Sequence, residues 1–503
     1  MAQTITIDPI TRIEGHLGVK VEVANGVVTS AWSSGESFRG FEQILVGRDP
    51  LDAQHITQRI CGVCPIEHGV AANLAQEAAY GTALPTNGRL LRNVIMAANF
   101  IQSHILHFYI LSAVDFVDVT ALLGYTGKDA VLNFLKGWVQ TEMARSDYFP
   151  AAPILPRYSA PYIADSALNL GALRNYFTAF DMRTDASRLG ALFGGKLPHV
   201  ANLFPGGVAQ PVKADTVAEA KKIIARLRHF VDHHYVPDVL AAASAMPQYF
   251  SLGRGPGNFL SFGVFHEDNA KTTLLFPAGA LIQGALSNVD PSKIREAVGS
   301  SYFSSASNLH PSVGATTPQA GRPGAYSWLK APRYDGKVME VGPLARMLVA
   351  YHRNDPRVKP AVDGLLGATG RTVADLDSVM GRHAARALEC SLLAARTEEW
   401  IDTLVPGAAT QNPIAKASNA SGVGLTEAAR GALGHWLTIS GGLVSRYQCV
   451  VPTTWNCSPR DDLGQPGALE QALVGVPVAD PANPIEPVRV VRSFDPCLSC
   501  AVH

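Results

Sequence analysis

Two Cys-x-x-Cys pairs stand near opposite ends of the 503-residue chain. The first lies in Gln58-Arg59-Ile60-Cys61-Gly62-Val63-Cys64-Pro65-Ile66-Glu67-His68, the second in Ser493-Phe494-Asp495-Pro496-Cys497-Leu498-Ser499-Cys500-Ala501-Val502-His503. A thiolate is a soft metal ligand and a nucleophile, favoured at a helix N-terminus where unpaired backbone N–H groups carry partial positive charge. Pro65 suits a first helical turn and helix-forming residues follow, so Cys61 and Cys64 are expected in the loop feeding a helix. A thioredoxin-like redox centre would need one pair inside a compact βαβ unit, and neither context offers that. Local zinc modules separate their pairs by roughly 15–20 residues, whereas Cys64 and Cys497 are 433 residues apart. A long-range zinc site stays open but leaves the charged residues around both pairs without a role. The third chemistry is a redox-active thiolate centre using nickel and iron, metals suited to sulfur ligands.

Ordered motifs along nearly the whole chain carry a resemblance. They are Arg12-Ile13-Glu14-Gly15-His16, Phe38-Arg39-Gly40-Phe41-Glu42, Arg59-Ile60-Cys61-Gly62-Val63-Cys64 with His68, Glu427-Ala428-Ala429-Arg430-Gly431-Ala432-Leu433, Val451-Pro452-Thr453-Thr454-Trp455-Asn456, and the closing Asp-Pro-Cys-x-x-Cys-x-x-His. Together they resemble the large, catalytic subunit of nickel–iron hydrogenases, of an uptake type. The resemblance implies that all four cysteines bind nickel, with Cys61 and Cys497 terminal and Cys64 and Cys500 bridging to an iron that also carries cyanide and carbon monoxide. Arg430 and Thr453 match the cyanide pocket. Heterolytic cleavage of H2 needs a metal for the electron pair and a base for the proton, within hydrogen-bond reach of an exit. Cys497 matches the base and Glu14 the first relay carboxylate. Arg430 is the other base proposed in the family, although a guanidinium's very high pKa makes that role demanding. His68 resembles the donor to a bridging sulfur, and Asp495 the carboxylate beside Arg430. Without the motif, Glu14 would read as a solvated surface charge and the other two as ordinary buried polar contacts.

Further expectations follow from the same resemblance. Glu42, His503 and the Cys449 carbonyl match a magnesium site, an acceptable set for a hard cation when waters complete it. In the family a maturation protease removes a C-terminal extension after insertion factors deliver nickel, so an end at His503 is expected of the mature form. Of seven cysteines, Cys390, Cys449 and Cys457 remain once four are used. Three cannot furnish an ordinary four-cysteine iron–sulfur cluster, so no such cluster is expected in this chain. The two electrons released from H2 then require an iron–sulfur small subunit, with the heterodimer in a higher oligomer. The expected function is H2 oxidation; the alternative is a slow H2-sensing regulator. Three positions depart from common membrane-bound members: Ser103 stands where an aspartate often overhangs the metals, Ala429 replaces a proline, and Cys449 replaces an aliphatic residue.

Composition sets outer bounds. Hydrophobic residues make up 47% and charged residues 17%, enough to bury a large core. Lys plus Arg equals Asp plus Glu at 42 each, which gives no general attraction to nucleic acid or anionic lipid. No export signal begins the sequence, and no apolar run is expected to reach the roughly 18–20 residues that span a bilayer. The expected location is cytoplasmic, or membrane-associated on the cytoplasmic side through partners; the alternative is periplasmic, carried by a partner with an export signal.

The elements that must position these residues read as a mainly α, multihelical body with a small N-terminal antiparallel β element. One interlocked domain is expected over 1–503, β-containing over 1–50 and mainly helical over 51–503. Val19, Val21 and Val23, the Asn25-Gly26 turn and Val27 and Val28 predict a hairpin. Residues 90–119 predict a central buried helix. Thr216-x-x-Glu219 predicts a capping box opening an amphipathic helix that ends before Pro237, and 373–403 predicts another helix. Gly/Pro-rich stretches at 194–213, 252–264, 310–326 and 406–424 read as irregular, and 273–286 as a buried loop-to-helix segment. Gly190-Ala-Leu-Phe-Gly-Gly195-Lys196 lacks the Ser or Thr of a phosphate loop and reads as an ordinary loop. His229, His233 and His234 read as a solvated face, and His104 and His107 as satisfied core histidines.

Overall fold

Alternating valines produce the expected hairpin: Leu17–Ala24 pairs antiparallel with Val27–Gly35, and Asn25 and Gly26 take φ of 53° and 75° in the turn. Gln3–Ile7 adds a third strand beside the first. These elements come from a computed structural model that describes residues 3–144 and 160–503, with 47% helix and 18% strand.

The predicted central helix runs over Thr86–Ile105 and continues through a wider π-type stretch at Leu106–Ser112. Thr86–Asp115 is long and apolar enough to cross a membrane, yet 78% of its most apolar window is buried inside the molecule. It is a core helix, covered by the helices Ser166–Gly194 and Val379–Thr403. Ser378 caps the latter, its Oγ accepting from the Gly381 N–H. One hydrophobic cluster draws residues from Ile5 to Val502.

Strands are not confined to the N-terminus, which corrects the placing of the β element there alone. Ala420–Ala428, Gly431–Ser440 and Leu443–Val450 form a second antiparallel sheet, packed on the helix Pro65–Tyr80. The middle strand is buried on both faces, so its apolar run lacks the alternation that marks a half-exposed strand. The stretch 273–286 holds the strands Leu274–Phe276, Gly279–Ile282 and Ala285–Ser287 instead of a helix. Gln283 and Gly284 at φ of 51° and 80° make the turn between the last two.

Two further readings are corrected. The helix Ala214–Phe230 starts after Lys213 without using the Thr216 box. It continues through the wider π-type stretch Val231–Tyr235 into Val236–Ala245, so Pro237 falls directly after a local widening of the helix, where its missing N–H is accommodated. The glycine-rich stretch near 190 is no loop either. The helix persists to Gly194, and a Cβ on Gly190 would lie 2.4 Å from Leu197 Cδ1, so that glycine serves close packing.

Candidate metal centre

Cys64 flanks the N-terminus of the helix Pro65–Tyr80, as its sequence implied, and Cys61 lies just before it in extended backbone. Cys497 flanks the N-terminus of the short helix Leu498–Ala501. Residues from the N-terminal segment hold the two pairs in place. The Glu14 N–H donates to Pro496 O at 3.3 Å and the Leu498 N–H to Glu14 O at 2.9 Å. This close approach needs Gly15: its φ is +78°, and a Cβ would lie 2.8 Å from Leu498 Cβ and 2.9 Å from Ser499 N. Arg39 donates to Ile60 O and Ser499 O, both at 2.5 Å, and so ties the two cysteine loops together.

The four sulfurs converge. Cys61 Sγ is 3.3 Å from Cys497 Sγ, Cys64 Sγ is 3.0 Å from Cys500 Sγ and 3.9 Å from Cys497 Sγ, and Cys497 Sγ is 3.1 Å from Cys500 Sγ. All four cysteines are buried. Sulfurs sharing one ion through bonds of about 2.3 Å stand about 3.3–3.8 Å apart, close to this spacing. Hydrogen bonds from the Cys497, Cys500 and Cys64 thiols pull Cys61 well below the ordinary thiol range. Burial, with repulsion among the sulfurs, pushes Cys497 and Cys500 well above it, and Cys64 is pushed up to about 11. Protein groups alone thus favour one thiolate; ionising all four calls for a soft cation among them.

Around the sulfurs the sequence-predicted groups assemble. Glu14 Oε2 accepts from the Cys497 thiol at 3.1 Å and from the Ser499 N–H at 2.9 Å, while the Glu14 side chain is only half-buried. It therefore links the buried sulfur toward the surface. Arg430 Nη2 donates to Asp495 Oδ1 at 3.0 Å. Burial opposes the Arg430 charge, but Asp495 and the cysteine sulfurs outweigh it and hold the guanidinium more firmly protonated than usual. Arg430 Nε and Nη1 and Asp495 Oδ2 are buried without a protein partner. Thr453 Oγ1 accepts from the Cys497 N–H at 2.9 Å, leaving its own hydrogen to donate. His68 Nε2 lies 3.5 Å from Cys500 Sγ, and burial pushes His68 down to about 3, so the ring is neutral.

A second group lies beside the first. Ligand atoms of Glu42, Cys449 and His503 fall within 4.8 Å of one another. Cys449 takes part through its thiol, and its N–H donates to Glu42 Oε1 at 2.7 Å; the sequence had pointed to its carbonyl. His503 Nδ1 donates to Cys500 O at 2.6 Å, and its Nε2 and Glu42 Oε1, 3.2 Å apart, are two atoms able to turn lone pairs toward a cation held between them. Burial opposes ionisation of Glu42, yet Lys330, His503 and Thr316 hold its carboxyl well below the usual range. Sequence reading missed Lys330, whose Nζ is 3.5 Å from Glu42 and 3.4 Å from Glu296, and Glu296, whose Oε1 is buried without a partner. Neither sits in a recognisable motif.

The remaining candidates stay apart from the thiols' hydrogen bonds. Ser103 is buried with its hydroxyl unpartnered. His104 bonds Glu389 at 2.9 Å and His107 donates to Arg492 O at 2.6 Å, although Nδ1 of each ring is unpartnered. The His229 and His233 rings are 4.6 Å apart, and no three-ligand group forms there among the described residues. Cys390 and Cys457 are separate buried thiols.

Comparison with known proteins agrees with this geometry. A family model described as nickel-dependent hydrogenase matches residues 39–503, and a HoxL-like model matches 4–32. The chain is 42% identical to the periplasmic NiFeSe hydrogenase large subunit of Desulfomicrobium baculatum, covering 99% of this chain and 94% of that one. It is 36% identical to the uptake hydrogenase large subunit of Rhizobium leguminosarum bv. viciae, covering 99% and 95%. A solved structure of the Dm. baculatum NiFeSe hydrogenase superposes with a TM-score of 0.90 at 42% identity over the whole of both chains. The present sequence has cysteine at all four thiol positions and no selenocysteine.

Proposed function

From the premise that the chain belongs to the nickel-dependent hydrogenase family and is a catalytic large subunit, we propose that Cys61, Cys64, Cys497 and Cys500 hold nickel and iron and that the enzyme oxidises H2. The observation that carries this is the buried cluster of four converging sulfurs with Glu14 bonded to one of them. When bound, the metals supply a sulfur-ligated redox pair that takes up the electrons of H2. Cys64 and Cys500 would hold both metals, and Cys61 and Cys497 nickel alone.

The protein's own part is to move the proton. Cys497 Sγ accepts it, and Glu14 Oε2, 3.1 Å away, receives it next. The Ser499 N–H holds that carboxylate oxygen in place. Arg430 serves better as a charged donor than as a base, because Asp495 and the sulfurs favour its protonated form. Its two unpartnered nitrogens, Nε and Nη1, and the Thr453 hydroxyl suit acceptor ligands such as cyanide on iron, with carbon monoxide as the remaining ligand. Glu42 and His503 are proposed to hold magnesium, with Glu296 and Lys330 facing the same pocket.

Hydrogenase large subunits pair with a small subunit, and we assign that partner iron–sulfur clusters to conduct the electrons away. Among the described residues Cys390, Cys449 and Cys457 form no cysteine cluster of their own. Relatives named uptake and periplasmic hydrogenases support an oxidising enzyme over an H2 sensor, and the periplasmic relative favours export with a partner. Elemental analysis with infrared spectroscopy tests the centre: one nickel and one iron per chain with cyanide and carbonyl bands are expected, and zinc alone would overturn it. Rapid turnover with an artificial electron acceptor is expected of the enzyme, and slow turnover would favour the sensor.

A further inference from the structure

A hydrogen-bonded chain runs from the metal centre into the second sheet. His68 Nε2 is 3.5 Å from Cys500 Sγ, His68 Nδ1 is 3.2 Å from His435 Nε2, and His435 Nδ1 is 2.8 Å from the Tyr447 hydroxyl. His68 stands on the helix that Cys64 opens, His435 on the strand Gly431–Ser440, and Tyr447 on the neighbouring strand Leu443–Val450. Cys500, His68, His435 and Tyr447 are all buried, at 2%, 1%, 0% and 1% exposure, so no solvent can substitute for a missing partner.

The direction of every bond follows from its sulfur end. A thiolate that ligates a metal has no proton to give, so Cys500 can only accept and His68 Nε2 must carry the hydrogen. Among the described residues the His68 ring bonds Cys500 and His435 and no carboxylate that would hold a second proton, so once Nε2 carries the hydrogen its Nδ1 is a lone pair needing a donor. The donor is His435 Nε2–H. Burial pushes His435 well below the ordinary imidazole range, so its Nδ1 is in turn a lone pair. Tyr447 must then donate its O–H, which burial keeps from ionising.

We propose that His435 and Tyr447 are positioning residues for the H2 reaction: the Tyr447 O–H sets the tautomer of His435, which sets that of His68, so that an N–H is always presented to the Cys500 sulfur. Without the chain, the other neutral tautomer of His68 would turn a lone pair toward the thiolate. This inference rests on the proposed ligation of nickel and iron by Cys500.

The test is infrared spectroscopy of the purified holoenzyme with its small subunit. In Tyr447→Phe the hydrogen bond to the sulfur weakens, the sulfur donates more charge to iron, and the carbonyl band is expected to move to lower wavenumber with nickel and iron contents unchanged. H2 oxidation should fall roughly tenfold. His435→Gln supplies an amide N–H that needs no tautomer, so this variant alone, and combined with Tyr447→Phe, is expected to keep the wild-type band position. An unmoved band in Tyr447→Phe, or a displaced band in either glutamine variant, overturns the chain's role while leaving the metal assignment intact. A wild-type enzyme with no carbonyl band overturns the inference together with the reading it rests on.

Discussion

A carboxylate in an N-terminal segment is ordinarily a solvated charge, and Glu14 departs from that because its backbone is stitched to Pro496 and Leu498 while its side chain accepts from Cys497 and Ser499. Glu14→Gln keeps an oxygen for the Ser499 N–H and removes only the capacity to take a proton. H2 oxidation and H/D exchange with solvent are expected to fall about 10²-fold or more while nickel and iron contents hold; full activity would take Glu14 out of the path. Elemental analysis is expected to find one magnesium per wild-type chain and none in Glu42→Gln, because that change takes the charge from a pocket where Lys330 already repels cations. At this scale the cysteines, Glu14, Arg430 and Asp495 were legible because each sits in a motif of fixed spacing. Glu296, Lys330 and His435 were not, since what matters about them is their neighbours across the fold.

Among the elements, legibility followed period and length. The first hairpin and the helix Ala214–Phe230 have one polar face and could be read from their period, and the buried helix Thr86–Ile105 from the length of its apolar run, whereas the sheet of residues 420–450 is buried through its short middle strand and has no period to read. The join of Glu14 to the C-terminal segment depends on one backbone position. Gly15→Ala must adopt φ near +78° and bring its Cβ 2.8 Å from Leu498 Cβ, at a cost of about 1–3 kcal/mol, read as a lowered unfolding midpoint. The core helices share a buried ion network in which Arg346 donates to Glu389 and Glu427, and His104 bonds Glu389. Burial raises Glu389, but Arg346 and His104 outweigh it and hold the carboxyl at about 2 against an ordinary 4.5. A depressed carboxylate stabilises the fold above its unfolded pKa, and that stability is lost as pH falls from about 4.5 through 2, about 3 kcal/mol in all. Urea midpoints between pH 5 and pH 3 should therefore fall less steeply in Glu389→Gln than in the wild type; equal slopes would assign the acid sensitivity elsewhere.

For the whole molecule, the metal centre is a joint between the two ends of the chain. Cys61 and Cys497 are 436 residues apart, and the segment beyond Asp495 is held by Glu14, by Arg39 and by the Phe41 N–H bonded to His503 O. The helices Thr86–Ile105 and Val379–Thr403 bury their apolar faces against one another, and among the described residues the hydrogen bonds of the four thiols involve neither helix. Metal binding should therefore stabilise the joint far more than the core, by mass action on the conformation that brings the ligands together. Hydrogen exchange on metal-free and metal-loaded protein tests this: faster exchange is expected over residues 10–16, 36–42 and 493–503, with the two core helices unchanged. The reason lies in the thiols, because without a cation three of the four stay protonated and the loops that present them lose their common ligand. Equal loss of protection throughout would mean that metal binding and folding of the whole chain are a single event, and no change at either end would mean that hydrogen bonds from Glu14 and Arg39 alone hold the ends together.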